Sequence, residues 1–292
     1  MAGPPSAVVV NPSKVDDAKD LRSRVRSTLA DAGWPEPSWW ETTPDDPGAG
    51  QAAKAVRDGA EVVFACGGDG TVQSCLSALA GSRAALAIVP VGTGNLLATN
   101  LGIPTDTVRA VRVATQGGRR RIDVGRTDDM CFAVAAGIGF DAEVLDAPEP
   151  LKRALGWPAY VVSAVRHLHD PHFVVEIRLD DAPPSRQRAR SVMVANVADL
   201  RGRLTVAPDA SDDDGALDVV VVAPRRPRDW VSVVYRTLRR RPHPQVQRYK
   251  AGEVDIRVLD RAASRQVDGN TLEPGDRLHV VLDRRALEVC VP

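Results

Sequence analysis

The chain has 292 residues, is 43% hydrophobic and 26% charged, and balances 38 basic against 38 acidic side chains. That length suits one large domain or two ordinary ones with a sizeable core. Zero net charge gives no global basic field, so a nucleic-acid partner is not expected, although the arginines cluster locally. No run approaches the roughly 18 consecutive apolar residues of a membrane-spanning helix. The opening MAGPPSAVVVN lacks the basic and long apolar regions of a signal peptide, so a cytoplasmic protein is expected. Cys66, Cys75, Cys131 and Cys290 show no metal-ligand spacing, and three lie in apolar runs, which reads as buried thiols and not as a disulfide framework.

Over the first 117 residues short apolar runs alternate with helical patterns. AVVVN (7–11) reads as a buried strand, and the next segment places Val15, Ala18, Leu21, Val25 and Leu29 on one helical face, closed by Gly33. A strand near SWWETT, a helix in GQAAKAVRDG, the strand EVVFAC, a helix opening at Thr71, the strand ALAIVPVG and a helical stretch from Leu96 follow. This rhythm predicts a mainly parallel sheet with helices on its faces. From about Arg119 the pattern changes to strand-like runs: RRRIDVGR, CFAVAAGI, HFVVEIRL, RSVMVANV, LDVVVVAP, EVDIRVL and RLHVVL. Helices are expected there only near 151–168 and 229–240, and the polar segments 180–190 and 239–245 read as connections. A second, β-rich domain is the expectation.

Chemistry concentrates in two glycine loops. CGGDGT leaves the strand EVVFAC with almost no side chain, where a parallel sheet gathers its ligands and where backbone N–H groups can approach a phosphate. Alone, GGDG reads as a tight turn with Asp69 capping the helix. VPVGTGNLLA (89–98) repeats the arrangement of apolar strand, glycines, polar partners and helix, and two such loops at one sheet edge point to nucleotide binding. Neither loop fits G-x-x-x-x-G-K-[ST] or G-x-G-x-x-G, so a P-loop or dinucleotide-type Rossmann site is not supported.

VVVNPS (8–13), GGDGT (67–71), PVGTGNLLA (90–98), IDVG (122–125), GIGFDA (137–142), VAPDASDDDGALDV (206–219) and VDG (267–269) fall in an order that resembles the diacylglycerol-kinase catalytic family, which includes bacterial lipid kinases and sphingosine kinases. The resemblance covers nearly the whole chain. It implies an N-terminal α/β domain like that of NAD kinases and phosphofructokinases (1–118), rejoined by a final strand at 286–292. A C-terminal β-sandwich (119–285) completes the implied fold, with the nucleotide in the cleft between the domains.

By position, the resemblance puts Asn11 and Pro12 at the nucleotide and Thr42 or Thr43 beside its adenine. Gly67, Gly68, Asp69, Gly70 and Thr71 would cradle ATP phosphates, and Gly92, Thr93 and Asn95 would complete the pocket. Asp69 would hold Mg²⁺ through water, with Asp123 a weaker candidate for the same cluster. A structural Mg²⁺ is implied at Asp214, with Ser211 and Ala216 supplying carbonyls. Three consecutive carboxylates otherwise read as a solvated turn.

The chain departs from the family where a glutamate usually follows VDG and takes the proton from the lipid hydroxyl. Asn270 stands there, and an amide is not a general base near neutral pH. Asp268 in the same motif is the first substitute, Glu273 the second, and weak or absent transfer the third. VQS follows GGDGT in place of the usual asparagine and glutamate, and Leu96 stands where many relatives have aspartate. HLHDPH (His167, His169, His172) straddles a helix end and reads as no metal site. The segment 229–241 could rest on an anionic membrane or pack on the sandwich. The expectation is an ATP- and Mg²⁺-dependent lipid kinase, peripheral to an anionic membrane. A nucleotide-binding regulatory protein and an NAD-kinase-like activity are the alternatives, and the oligomeric state is open, a homodimer included.

Overall fold

The computed structural model describes the chain apart from residues 1–2, 16, 129, 140–171, 201–203, 206, 209, 225, 227–228, 230–231, 234–235, 237–238, 240 and 242. The chain divides into two compact units, one of residues 1–124, 130–133 and 283–292, the other of 125–129 and 134–282.

The first unit is a parallel sheet with helices. Its strands β1 (Ser6–Val10), β2 (Ser38–Glu41), β3 (Val62–Gly67) and β4 (Ala85–Pro90) run in the order β2-β1-β3-β4. Every residue of β1, β3 and β4 is buried, as the unbroken apolar runs require of strands covered on both faces. Helix α1 (Ala18–Asp31) is capped by the Asp17 carboxylate, which accepts from the N–H groups of Lys19 and Asp20, and it buries Leu21, Val25, Thr28 and Leu29. Because the cap sits at residue 17, Val15 precedes the helix and Ala18 is exposed, so the buried stripe is shorter than its periodicity suggests. α2 (Ala49–Arg57) and α3 (Asp69–Leu79) follow, α3 opening two residues before the expected Thr71. The helical stretch from Leu96 is two helices, α4 (Leu96–Asn100) and α5 (Thr107–Gln116), separated at Gly102, which takes φ +71°, and Pro104. β5 (Gly118–Arg126) and β6 (Cys131–Phe132) come next.

The second unit is an antiparallel β-sandwich. One sheet contains β7 (Ala135–Ile138), β10 (Ser191–Ala195), β13 (Leu217–Val222), β14 (Val246–Ala251), β16 (Ala263–Val267) and β17 (Asn270–Gly275), in the order β14-β13-β10-β7-β16-β17. The other pairs β8 (Phe173–Leu179), β9 (Ser185–Ala189) and β15 (Glu253–Val258) with the first half of β18 (Arg277–Val291). β11 (Asp199–Leu200) and β12 (Leu204–Thr205) form a small hairpin. Ile138, Phe173, Leu217 and Ile256 are among its fully buried side chains. The final residues of β18 pair in parallel with β4, Glu288 opposite Ala85 and Val289 opposite Leu86.

Six strands stand outside the sequence reading, the short pair β11 and β12 among them. β9 lies inside the segment read as a connection, and β14, β16 and β17 were not singled out. β9, β14 and β17 are polar and half-exposed, and β9 is an edge strand whose arginines discourage further pairing. The expected helix at 151–168 lies outside the described residues, as does most of 229–241.

Candidate functional site

β3 and β4 are neighbours, so the loops that leave their carboxyl ends emerge side by side. The first loop runs directly into α3, whose N-cap is Gly68 and carries no side-chain cap. The leading N–H groups of a helix have no partner within it, and the N-terminus bears partial positive charge. The second loop brings Gly92 against Gly68: a β-carbon on Gly92 would lie 2.5 Å from the Gly68 Cα. The two backbones approach so closely that glycine is required at position 92 by space alone.

Asp69 holds the pair of loops together. Its Oδ2 accepts from the N–H of Asn95 at 2.9 Å and its Oδ1 from the N–H of Leu96 at 2.5 Å. Asp69 therefore caps α4 across the two loops, a partner beyond the reach of the isolated tetrapeptide. A β-carbon on Gly94 would clash with Asp69 Oδ2, which explains the second glycine of the loop. Asn95 takes the left-handed conformation (φ 48°) and donates from Nδ2 to the Gly92 carbonyl at 2.7 Å. Its buried Oδ1 has no hydrogen-bond partner among the described residues. A ligand or water bearing an N–H or O–H would complete it.

Asn11 joins the same corner, donating from Nδ2 to Thr71 Oγ1 at 3.4 Å. Thr71 is buried, whereas Pro12 and Thr93 are exposed. Thr42 is buried at the end of β2 and donates its N–H to the Val10 carbonyl, while Thr43 closes a turn with Asp46. Behind the loops, Gln73 reaches the Cys131 carbonyl from α3 at 2.9 Å and Ser77 accepts the Cys131 N–H. These side chains, which sequence reasoning passed over, tether α3 and so the floor of the glycine loops. All four cysteines are buried. Burial pushes the Cys75 thiol up to about 12 and Cys290 up to about 11, which makes both core groups.

Two predicted residues meet partners within the protein. Asp123 is 1% exposed, and its Oδ1 accepts the N–H of Arg285, a residue of β18 with φ 49°. Among the described residues no group of three or more His, Cys, Asp or Glu side chains could hold a metal, so Asp123 joins no such cluster. Mg²⁺ keeps several waters and takes one or two carboxylates plus substrate phosphates. A carboxylate oxygen offers two lone pairs, so the Asn95 and Leu96 N–H groups on Asp69 do not by themselves bar an ion held through water. At the second implied metal site, Asp214 Oδ2 lies 2.6 Å from Lys250 Nζ, and Asp214 Oδ1 accepts the Ala216 N–H.

In the second unit, Asp268 and Gly269 form the two-residue turn between β16 and β17, with φ 46° and 84°. Both positive values mark a type I′ hairpin, for which Asp-Gly is the favoured pair. The Asp-Gly pair within VDGN is the sequence signal of this hairpin. Asp268 is buried, and its Oδ1 accepts from both Val134 and Ala135 N–H groups at 3.0 and 2.9 Å. Gln266 steadies the turn by accepting the Gly269 N–H. Asn270 opens β17 half-buried, whereas Glu273 is exposed where the β16–β17 register shifts. The geometry gives Asp268 an anchoring task. His172 Nε2–H donates to the Pro224 carbonyl at 2.9 Å, and His167 and His169 lie outside the described residues.

A parallel α/β unit with paired glycine loops and an antiparallel sandwich define a class shared by lipid kinases and NAD kinases. The family model described as diacylglycerol kinase catalytic domain matches residues 5–127, and that described as YegS C-terminal NAD kinase beta sandwich-like domain matches residues 133–290. The chain belongs to this family. It is 28% identical to the diacylglycerol kinase of Bacillus subtilis over 260 residues, 82% of this chain and 85% of that one. It is 34% identical over 179 residues to a Chromohalobacter salexigens protein named "Probable lipid kinase YegS-like", 59% of this chain and 57% of the relative. A match to a Synechocystis protein spans 41% of that chain. Among solved structures, a diacylglycerol kinase from Bacillus anthracis superposes with a TM-score of 0.78 at 23% identity, covering 99% of this chain and 97% of the other. An NAD kinase from Archaeoglobus fulgidus in complex with ATP gives 0.56 at 13% identity, covering 98% and 93%. At these identities the structural likeness is one of fold. No helix among the described residues is long and apolar enough to cross a membrane.

Proposed function

We propose that the chain is a kinase that transfers the γ-phosphoryl group of ATP to a lipid hydroxyl. One observation carries this reading: two glycine loops, packed backbone to backbone and tied by Asp69, present the uncapped N-terminus of α3. Such a surface suits phosphates, because backbone N–H groups and the helix end supply positive potential without side chains in the way. Asn11 and Thr71 border the cradle, and the buried Asn95 Oδ1 calls for a donor. Mg²⁺, when bound with the nucleotide, supplies charge neutralisation at the phosphate oxygens, and Asp69 is the residue that would hold it through water. The work of this chain is then to position and to exclude, since a loose phosphoryl transition state asks little covalent chemistry of the protein. The acceptor is proposed from the diacylglycerol-kinase relatives, and a bilayer-embedded acceptor requires a peripheral visit to an anionic membrane surface.

Asn270 favours a second reading, a nucleotide-binding protein with slow transfer. The hairpin puts an amide at the position where the family resemblance implies a base, and the neighbouring Asp268 is engaged with two backbone amides. One assay separates the readings: transfer of labelled phosphate from ATP to diacylglycerol, monoacylglycerol, a sphingoid base or NAD. A phosphorylated lipid supports the kinase; phosphorylated NAD supports the NAD-kinase alternative. No product with any acceptor, alongside ATP binding, leaves the regulatory reading.

A further inference from the structure

The loop 211–218 carries three consecutive aspartates, and the family resemblance reserves Ser211, Asp214 and Ala216 for a divalent ion. The donors present do not fit one. Asp214 Oδ2 is 2.6 Å from Lys250 Nζ, and its Oδ1 accepts the Ala216 N–H at 3.1 Å. The Ser211 carbonyl accepts the Asp214 N–H at 3.4 Å. Gly215, at φ 73°, reverses the chain so that these groups face one another.

The lysine is fixed by the fold. In the β13–β14 ladder Lys250 stands directly opposite Asp218, whose buried carboxylate lies 3.5 Å from the same ammonium. Cross-strand partners on one face are neighbours by construction, so the register delivers the positive charge to both carboxylates. Lysine is scarce in this chain, at positions 14, 19, 54, 152 and 250 only, and Lys250 stands opposite the acidic loop. A lysine ammonium is ordinarily charged at neutral pH, so the contact with Asp214 Oδ2 joins opposite charges. A divalent ion on Asp214 would meet an ammonium already on the same oxygen, and like charges repel at that range.

We propose that Lys250 is the resident cation of the 211–218 loop, so that a side chain closes the loop and no divalent ion is needed there. Any divalent requirement of the chain then belongs to the nucleotide alone. The claim does not depend on the proposed activity, and its test reads stability. The full-length chain, free of nucleotide, is melted in EDTA and in excess Mg²⁺, as wild type, Lys250→Met, Lys250→Arg and Asp214→Asn. The wild type and Lys250→Arg are expected to melt at the same temperature in both solutions. Lys250→Met is expected to melt about 2–4 °C lower in EDTA and to recover in Mg²⁺, because its carboxylates have lost their cation. The proposal is overturned by a wild type that melts lower in EDTA and loses that difference in Asp214→Asn. It is equally overturned if Lys250→Met matches the wild type in EDTA. Should Lys250→Met fail to fold, the wild-type and Asp214→Asn comparison decides.

Discussion

At Asp69 one carboxylate satisfies two amides of a neighbouring loop and faces the place where phosphate charge would gather. Replacing it therefore has two consequences. Asp69→Ala should abolish phosphoryl transfer and also cost about 1 kcal/mol of stability through the lost cap, read by urea unfolding. Asp69→Asn keeps one acceptor oxygen, so it should recover part of that stability with none of the activity; turnover like the wild type would remove Asp69 from the mechanism. Asn270 makes the opposite prediction. Asn270→Glu restores a base and should raise transfer about 10–100-fold with ATP affinity unchanged, the gain being limited because the transition state is loose. Asp268→Asn retains an acceptor for Val134 and Ala135 N–H, so it should leave the hairpin folded and test the charge alone. Loss of activity in that folded variant would assign the proton to Asp268. A silent Asn270→Glu beside a silent Asp268→Asn would leave the proton with neither residue.

At the scale of elements, legibility followed burial. β1, β3, β4 and β13 are wholly buried runs of valine, alanine and their like, and each was readable from composition. β9 and β14 were not, because their SRQRA and VQRYKA sequences owe their pairing to neighbours and not to apolar content. The glycine loops were legible as loops, but the Asp69 bridge between them joins residues 26 and 27 apart and no local pattern reports it. A similar long-range set surrounds Asp255 on β15, where the guanidiniums of Arg277, Arg178 and Arg257 converge on a carboxylate 6% exposed. Burial pushes the Asp255 carboxyl up, but the Arg277 hydrogen bond and the three positive charges outweigh it and hold the group below the usual 3.8. A lowered folded-state value contributes stability that is present above 3.8 and lost as pH falls through the folded value. Asp255→Asn should thus be destabilised by about 1–2 kcal/mol at neutral pH, a figure discounted because the arginines are half-exposed. The gap to the wild type should close in strongly acidic urea titrations; a gap independent of pH would assign the loss to packing.

For the whole molecule, the order of motifs along the chain carried the family and the fold, since both matched family models together run from residue 5 to 290. Individual roles were less legible, because Asp123, Asp214 and Asp268 each meet partners far along the sequence: Arg285, Lys250 and the Val134–Ala135 backbone. The central claim is that the two glycine loops make one phosphate cradle. It is tested most directly by calorimetric titration of Mg²⁺·ATP into the wild type, Gly68→Ala and Gly92→Ala. A β-carbon at position 68 makes ordinary contact with Gly92 Cα at 3.5 Å, whereas one at position 92 would force the loops apart. Measurable ATP binding by the wild type is expected, with a smaller loss in Gly68→Ala and a loss of at least about tenfold in Gly92→Ala, all three proteins being folded by circular dichroism. ATP affinity in Gly92→Ala equal to that of the wild type would contradict it.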